Sequence, residues 1–186
     1  MIEPKPSVAR LQRLRDIGAN RKELHLLDKN ERTTPFPEHF TRELFRSITP
    51  QDLIKYPDQS SLYNKLSTYL SLSTSNILLV PGSDSGIKII FDTYARPNDQ
   101  VVSLKPTYAM VHVYTELFGC ISKPFEFNHD LNLSIDELLA SISSATRLVL
   151  LANPNQPTGT LLSISDIEKI LRITEPNNTL VVVDEA

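Results

Sequence analysis

The feature that most restricts what this chain can become is a regular alternation in its second half. Five short runs, "NILLV" (76–80), "QVVSL" (100–104), "CISKPFEF" (120–127), "RLVLLA" (147–152) and "TLVVVDE" (179–185), read as strands, and several are almost continuously apolar. An apolar run without in-out alternation describes a strand covered on both faces. Between these runs apolar residues recur at helical spacing: Ile87, Ile90, Phe91 and Tyr94, then Met110, Val111, Tyr114, Leu117 and Phe118, then Ile164, Ile167, Ile170 and Leu171. "SIDE" (134–137) is a capping box that opens a further helix. The pattern predicts an α/β fold, a three-layer α-β-α arrangement around a mostly parallel sheet.

The first part of the chain reads differently. Residues 1–36 are polar and irregular, punctuated by Pro4, Pro6 and Pro35, and are expected to form an N-terminal arm. From Pro37, Phe40, Leu44, Phe45 and Ile48 mark one amphipathic helix; Leu62, Leu66, Tyr69 and Leu70 mark a second, behind the capping types Asp58, Ser60 and Ser61. The expected organisation is an arm over 1–36 and a ligand-binding domain over 37–186. No internal repeat or low-complexity tract is present.

Composition narrows the partners. Hydrophobic residues make up 40% and charged residues 22%, and the net charge of −3 offers no basic surface for nucleic acid. Arg10, Arg13 and Arg15 cluster but are answered by Asp16 and Glu23, as on a solvated helix face. A single cysteine, Cys120, excludes an internal disulfide or a cysteine metal cluster and fits a reducing cytoplasm. The start "MIEPKPSVAR" lacks the apolar core of a signal peptide, and no apolar run reaches the ~18 residues of a membrane span. His25, His39, His112 and His129 are scattered without ligand spacing, so no metal site is expected.

In parallel α/β sheets ligands bind beyond the carboxyl ends of the strands. Three loops there carry chemistry. In "VPGSDSGIKII" (80–90), Gly82 permits a turn and Ser83 and Asp84 fall where a helix begins, so they either cap it or join its free N–H groups in holding a phosphate. In "LKPTYAMVHVY" (104–114), Tyr108 is either a core tyrosine or a ring that stacks on a planar ligand. The third loop, "LANPNQPTG" (151–159), is paired one β-α unit later with "VVVDEA". Asp184 closes an apolar strand, where a carboxylate either caps a turn or meets a cation, such as magnesium or a protonated heterocyclic nitrogen. Neither G-x-G-x-x-G nor G-x-x-x-x-G-K-[ST] occurs, which weakens a dinucleotide or P-loop reading.

In order and spacing, "LDKNERTTPFP", "KYPDQS", "PGSDSGIKIIF", "PTYAMV", "NPNQPTGTLLS" and "VVVDEA" together resemble the fold-type-I pyridoxal-phosphate aminotransferases of class I/II, most closely their histidinol-phosphate aminotransferase-like branch. The resemblance covers about residues 24–186. It implies an amino-group transfer between an amino acid, one of the histidinol-phosphate kind among the candidates, and a 2-oxo acid, with pyridoxal 5'-phosphate as cofactor. It also implies that Ser83 and Asp84 serve the cofactor phosphate, that Tyr108 stacks on the pyridine ring, and that Asp184 pairs with the protonated ring nitrogen. By the same resemblance Tyr56 reaches the cofactor phosphate of a neighbouring subunit, so the site would need a homodimer. Asn30 and Glu31 match an arm motif near the substrate mouth.

Two departures stand out. The family has asparagine before "PTG", bonded to the ring oxygen, whereas this chain has Gln156, so either Gln156 or Asn155 makes that contact. The resemblance also places the Schiff-base lysine and the substrate-carboxylate arginine beyond Ala186. Lys88, Lys105 and Lys169 read as surface side chains, so no catalytic lysine is assigned and the chain as it stands is expected to be inactive alone. The rival readings are a pyridoxal-phosphate decarboxylase of a phosphoamino acid and a non-catalytic binding protein.

Overall fold

In a computed structural model of the chain, the structure describes residues 2–3, 6–9, 24 and 31–186. Arg10, Arg13, Arg15, His25 and Asn30 lie outside the described residues. Two compact units are present, one spanning Asp16–Leu79 and the other Val80–Ala186 with Met1–Arg15.

The first unit contains the two helices its periodicity predicts. After the four-residue helix α1 (Pro6–Ala9) of the other unit, α2 runs over Glu38–Ser47 and α3 over Ser60–Leu70. Pro37 precedes α2, Glu38 lies in its first turn and Arg46 in its last, each charge opposing the helix dipole. Asp58 accepts a hydrogen bond from the Ser60 N–H (2.9 Å), while α3 ends at Ser71 in the left-handed region. Neither helix buries a residue; Phe45 is 72% exposed and Tyr69 84%. The apolar faces exist as expected, but among the described residues the unit has no sheet to cover them.

"NILLV" corrects the expected strand count. Thr74–Asn76 form a 3-10 turn, and residues 77–80 join no sheet. An apolar run becomes a strand only where a neighbour supplies its ladder bonds. Here the Leu79 N–H turns instead to the Tyr63 hydroxyl (3.2 Å).

In the second unit the alternation is realised. Helix α4 (Ser83–Tyr94) leads to β1 (Gln100–Lys105), α5 (Ala109–Leu117), β2 (Ile121–Glu126), α6 (Ile135–Ser141), β3 (Thr146–Ala152), α7 (Ile164–Thr174) and β4 (Leu180–Asp184). The four strands are parallel in the order β2-β1-β3-β4. Side chains alternate across the sheet with period two, and both faces are apolar. Val102, Leu104, Val149 and Leu151 face a core completed by Leu138 of α6 and Ile170 of α7. Val101, Leu148 and Leu150 face a second core with Ile87 and Phe91 of α4 and Val111 and Tyr114 of α5. The layers are therefore α4/α5, sheet, α6/α7.

Burial on both faces holds for the central strands β1 and β3. It does not hold for β2, whose residues are mostly exposed, nor for β4, which is half-buried. Both are edge strands. Pro124 suits that place, because it lacks the N–H an inner strand needs. The expected cap at Ser134 accepts from the Glu137 N–H (3.5 Å) at α6, and the structure adds a second at α7, where Ser163 accepts from the Asp166 N–H (3.2 Å).

Candidate functional site

Four peptide segments meet the carboxyl edge of this sheet or open the helix preceding it: the start of α4, the loop after β1, the loop after β3 and the end of β4. The first is prepared by Gly82. It is the N-cap of α4 with φ 83°, a left-handed backbone that a side chain would strain, and it offers no side-chain acceptor. The first backbone bond of the helix is from Gly86 N–H to Gly82 C=O (3.3 Å), so the N–H groups of Ser83, Asp84 and Ser85 lie ahead of the ladder. Neither Ser83 nor Asp84 is the cap. Ser83 is exposed, and the half-buried Asp84 carboxylate accepts a hydrogen bond from the Tyr114 hydroxyl at 3.1 Å.

Tyr108 occupies the N-cap position of α5 and is half-buried, its ring packing in part against the α4/α5 core. The residue before it, Thr107, is tied to the loop after β3. Its hydroxyl donates to Asn155 Oδ1 (2.8 Å), while Asn155 Nδ2 donates to the Pro106 carbonyl (3.0 Å) and to Thr158 Oγ1 (2.9 Å). The Asn155 N–H donates to Thr160 C=O (2.8 Å), and its own C=O accepts from the Gly159 N–H (2.7 Å). Asn155 is 2% exposed. All of its N–H donors are thus committed to the protein, whereas Gln156, the next residue, is exposed and carries the unspent amide.

Asp184 ends β4 opposite Ala152. Its C=O accepts from the Asn153 N–H (2.9 Å), and its carboxylate, half-buried, accepts from the Ala186 N–H through Oδ1 (3.2 Å). Asn153 braces the same loop from the other side, exchanging hydrogen bonds with Leu162 through its amide (2.8 and 3.2 Å). The two loops and the strand end are therefore fastened to one another by asparagine amides and a carbonyl.

Tyr56 belongs to the other unit and is fully exposed. The lysines behave as surface groups: Lys88 pairs with Asp92, Lys105 with Glu126 (2.8 Å) and Lys169 with Asp166 (3.2 Å), with half or more of each lysine side chain exposed or nearly so. The Lys105 ammonium lowers the Glu126 carboxyl below the usual range. Burial, with Asp99 nearby, raises the Cys120 thiol, which disfavours a reactive thiolate. A groove of about 630 Å³ opens at the opposite, amino-terminal ends of β3 and β4. Its Arg147 is bonded to the Tyr94 and Asn178 carbonyls (2.9 and 3.4 Å), so it is structural and lies away from the edge just described.

Thr107, Thr158, Asn153 and Tyr114 are the residues that sequence reasoning passed over as site components. The concentration of Asn, Pro and Thr in 153–158 was the available signal; the link from Thr107 to Asn155 spans 48 residues and has none.

A parallel α/β sheet with polar loops and a helix N-terminus at its carboxyl edge is the architecture of a ligand-binding α/β enzyme. The chain belongs to the class I and II aminotransferase family, whose model matches residues 26–186. It is 31% identical over 163 residues to a histidinol-phosphate aminotransferase of Thermoanaerobacter sp. (strain X514), a match covering 86% of this chain and 46% of that protein. The fold is similar to that of an alanine aminotransferase from Pyrococcus furiosus (TM-score 0.67, 20% identity, 80% of this chain and 40% of the other). It is also similar to a PLP-dependent aminotransferase from Streptococcus suis (TM-score 0.65, 19% identity, 81% and 41%). The chain spans less than half the length of these relatives.

Proposed function

We propose that this chain forms part of a pyridoxal 5'-phosphate-dependent aminotransferase acting between an amino acid of the histidinol-phosphate kind and a 2-oxo acid. The observation that carries the reading is the donor set at one sheet edge. Backbone N–H groups stand uncapped at the start of α4, an aromatic ring leads α5, an exposed amide follows β3, and a carboxylate ends β4. That set fits a molecule with a dianionic phosphate, a flat ring, a ring oxygen and a protonated ring nitrogen.

The α4 N-terminus would hold the phosphate through the N–H groups of Ser83, Asp84 and Ser85, with the Ser83 hydroxyl beside them. Tyr108 would lie against the ring, and the Gln156 amide would donate to the ring oxygen, since Asn155 has no donor to spare. The Asp184 carboxylate would keep the ring nitrogen protonated, an opposite charge raising the pKa of its partner. Bound in this way, the cofactor supplies an electron sink for the pair left behind when the substrate's α-proton departs. Tyr56, fully exposed on a unit whose helices α2 and α3 bury no residue, supports a homodimer in which it serves the partner's site. A single cysteine in 186 residues supports a cytoplasmic setting.

The test uses the full-length protein with pyridoxal phosphate, an amino donor and 2-oxoglutarate. Glutamate should form, and Asp184→Ala should lower turnover about a hundredfold or more, the scale for removing a charge-stabilising group from an active site. Carbon dioxide release in place of glutamate would assign a decarboxylase, and an unchanged rate in Asp184→Ala would remove Asp184 from this role.

A further inference from the structure

We propose that Thr107 is a positioning residue, which through Asn155 clasps the loop carrying Tyr108 to the loop carrying Gln156. The ladder between β1 and β3 ends at Ser103 and Leu150. Beyond it the two chains part: the one leaving β1 enters α5 on one face of the sheet, and the one leaving β3 reaches α7 on the other. This is where strand order reverses, since β1 leads on to β2 at one edge and β3 to β4 at the other. Crevices of this kind are where parallel sheets take their ligands, and they are also where backbone ladders no longer hold the walls together.

The Asn155 side chain bridges that gap. It receives the Thr107 hydroxyl and reaches the Pro106 carbonyl on the β1 side and Thr158 Oγ1 on the β3 side, where the Asn155 backbone is itself held by Thr160 C=O and the Gly159 N–H. At 2% exposure water cannot readily replace a lost partner, so removing the Thr107 hydroxyl strands a buried acceptor. Tyr108 follows Thr107 and Gln156 follows Asn155 directly, so the clasp sets the separation of a ring and an amide as a single jaw. That the jaw holds pyridoxal phosphate rests on the function proposed above; that it is a jaw does not.

The experiment is amide hydrogen exchange on the full-length protein without cofactor, comparing wild type, Thr107→Val and Thr107→Ser. Valine keeps the shape and loses the donor. The N–H groups of Asn155 and Gly159, on the opposite loop, should exchange roughly fivefold or more faster in Thr107→Val, the scale of one net hydrogen bond. Thr107→Ser should restore protection, and β3 amides should be unaffected; Thr107→Ala is the second variant should valine disturb β1. With pyridoxal phosphate, Thr107→Val should also shift the pH dependence of cofactor absorbance, and serine should restore it. Unchanged exchange at Asn155 and Gly159 in both donor-free variants would overturn the clasp. A response in exchange with no cofactor bound by wild type would leave the clasp standing and overturn the function instead.

Discussion

Replacing Tyr114 by phenylalanine isolates a single hydroxyl. The ring is 6% exposed and sits 6.0 Å from the Phe91 ring, so Tyr114→Phe preserves the packing and removes the O–H that reaches Asp84 at 3.1 Å. A hydrogen bond to a charged partner contributes about 1.5–3 kcal/mol. Asp84 is only half-buried, and water reaching it lowers the expected loss to roughly 1–1.5 kcal/mol. In urea unfolding that is a midpoint shift of about 0.3–1.5 M, using slopes of about 1–3 kcal/mol/M. Because Asp84 also favours the α4 dipole by about 0.3–1 kcal/mol, the single substitutions do not separate the two effects. A double-mutant cycle of Tyr114→Phe with Asp84→Ala does, and a coupling of about 1 kcal/mol is expected. Additivity within about 0.3–0.5 kcal/mol would show that the pair does not interact and would refute the reasoning. Released from Tyr114, the Asp84 carboxylate is also free to turn toward the N–H groups it now leaves open, so weaker cofactor binding is the expected companion effect.

Two other outcomes can be checked independently. Gln156→Ala should alter the pH-dependent absorbance of bound pyridoxal phosphate without changing the unfolding midpoint, because the amide is exposed and bonds to no group among the described residues; an unchanged spectrum would return the contact to another group. Asp166 has its folded pKa lowered, chiefly by the Ser163 hydroxyl and then by Lys169. The unfolded chain therefore binds the proton first as pH falls, so this contribution is present above the ordinary Asp pKa of about 3.9 and is lost as pH drops through the folded value. Asp166→Asn should accordingly flatten the acid limb of a stability-versus-pH curve, and an identical limb would show that Asp166 contributes nothing there.

The runs around Val101–Leu104 and Leu148–Ala152 named themselves as inner strands, because two apolar faces leave no polar side to expose. Ser134 marked a helix start, since capping depends on residues two or three positions away. The family motifs likewise stood in plain order, and they brought the class I and II aminotransferases into view from residues alone.

The sequence by itself thus determined what local chemistry controls: the α/β class, the presence of the helices and the kinds of group at the carboxyl edge. Only the tertiary structure decided what depends on a distant partner. "NILLV" is as apolar as a strand, but a strand exists only when a neighbour completes its hydrogen bonds, and residues 77–80 have none among the described residues. Asn155 and Gln156 are adjacent amides of similar chemistry, and nothing local separates them. Pro106, Thr107 and Thr158 consume one and leave the other exposed, because strand order brings the ends of β1 and β3 together across 48 residues of chain.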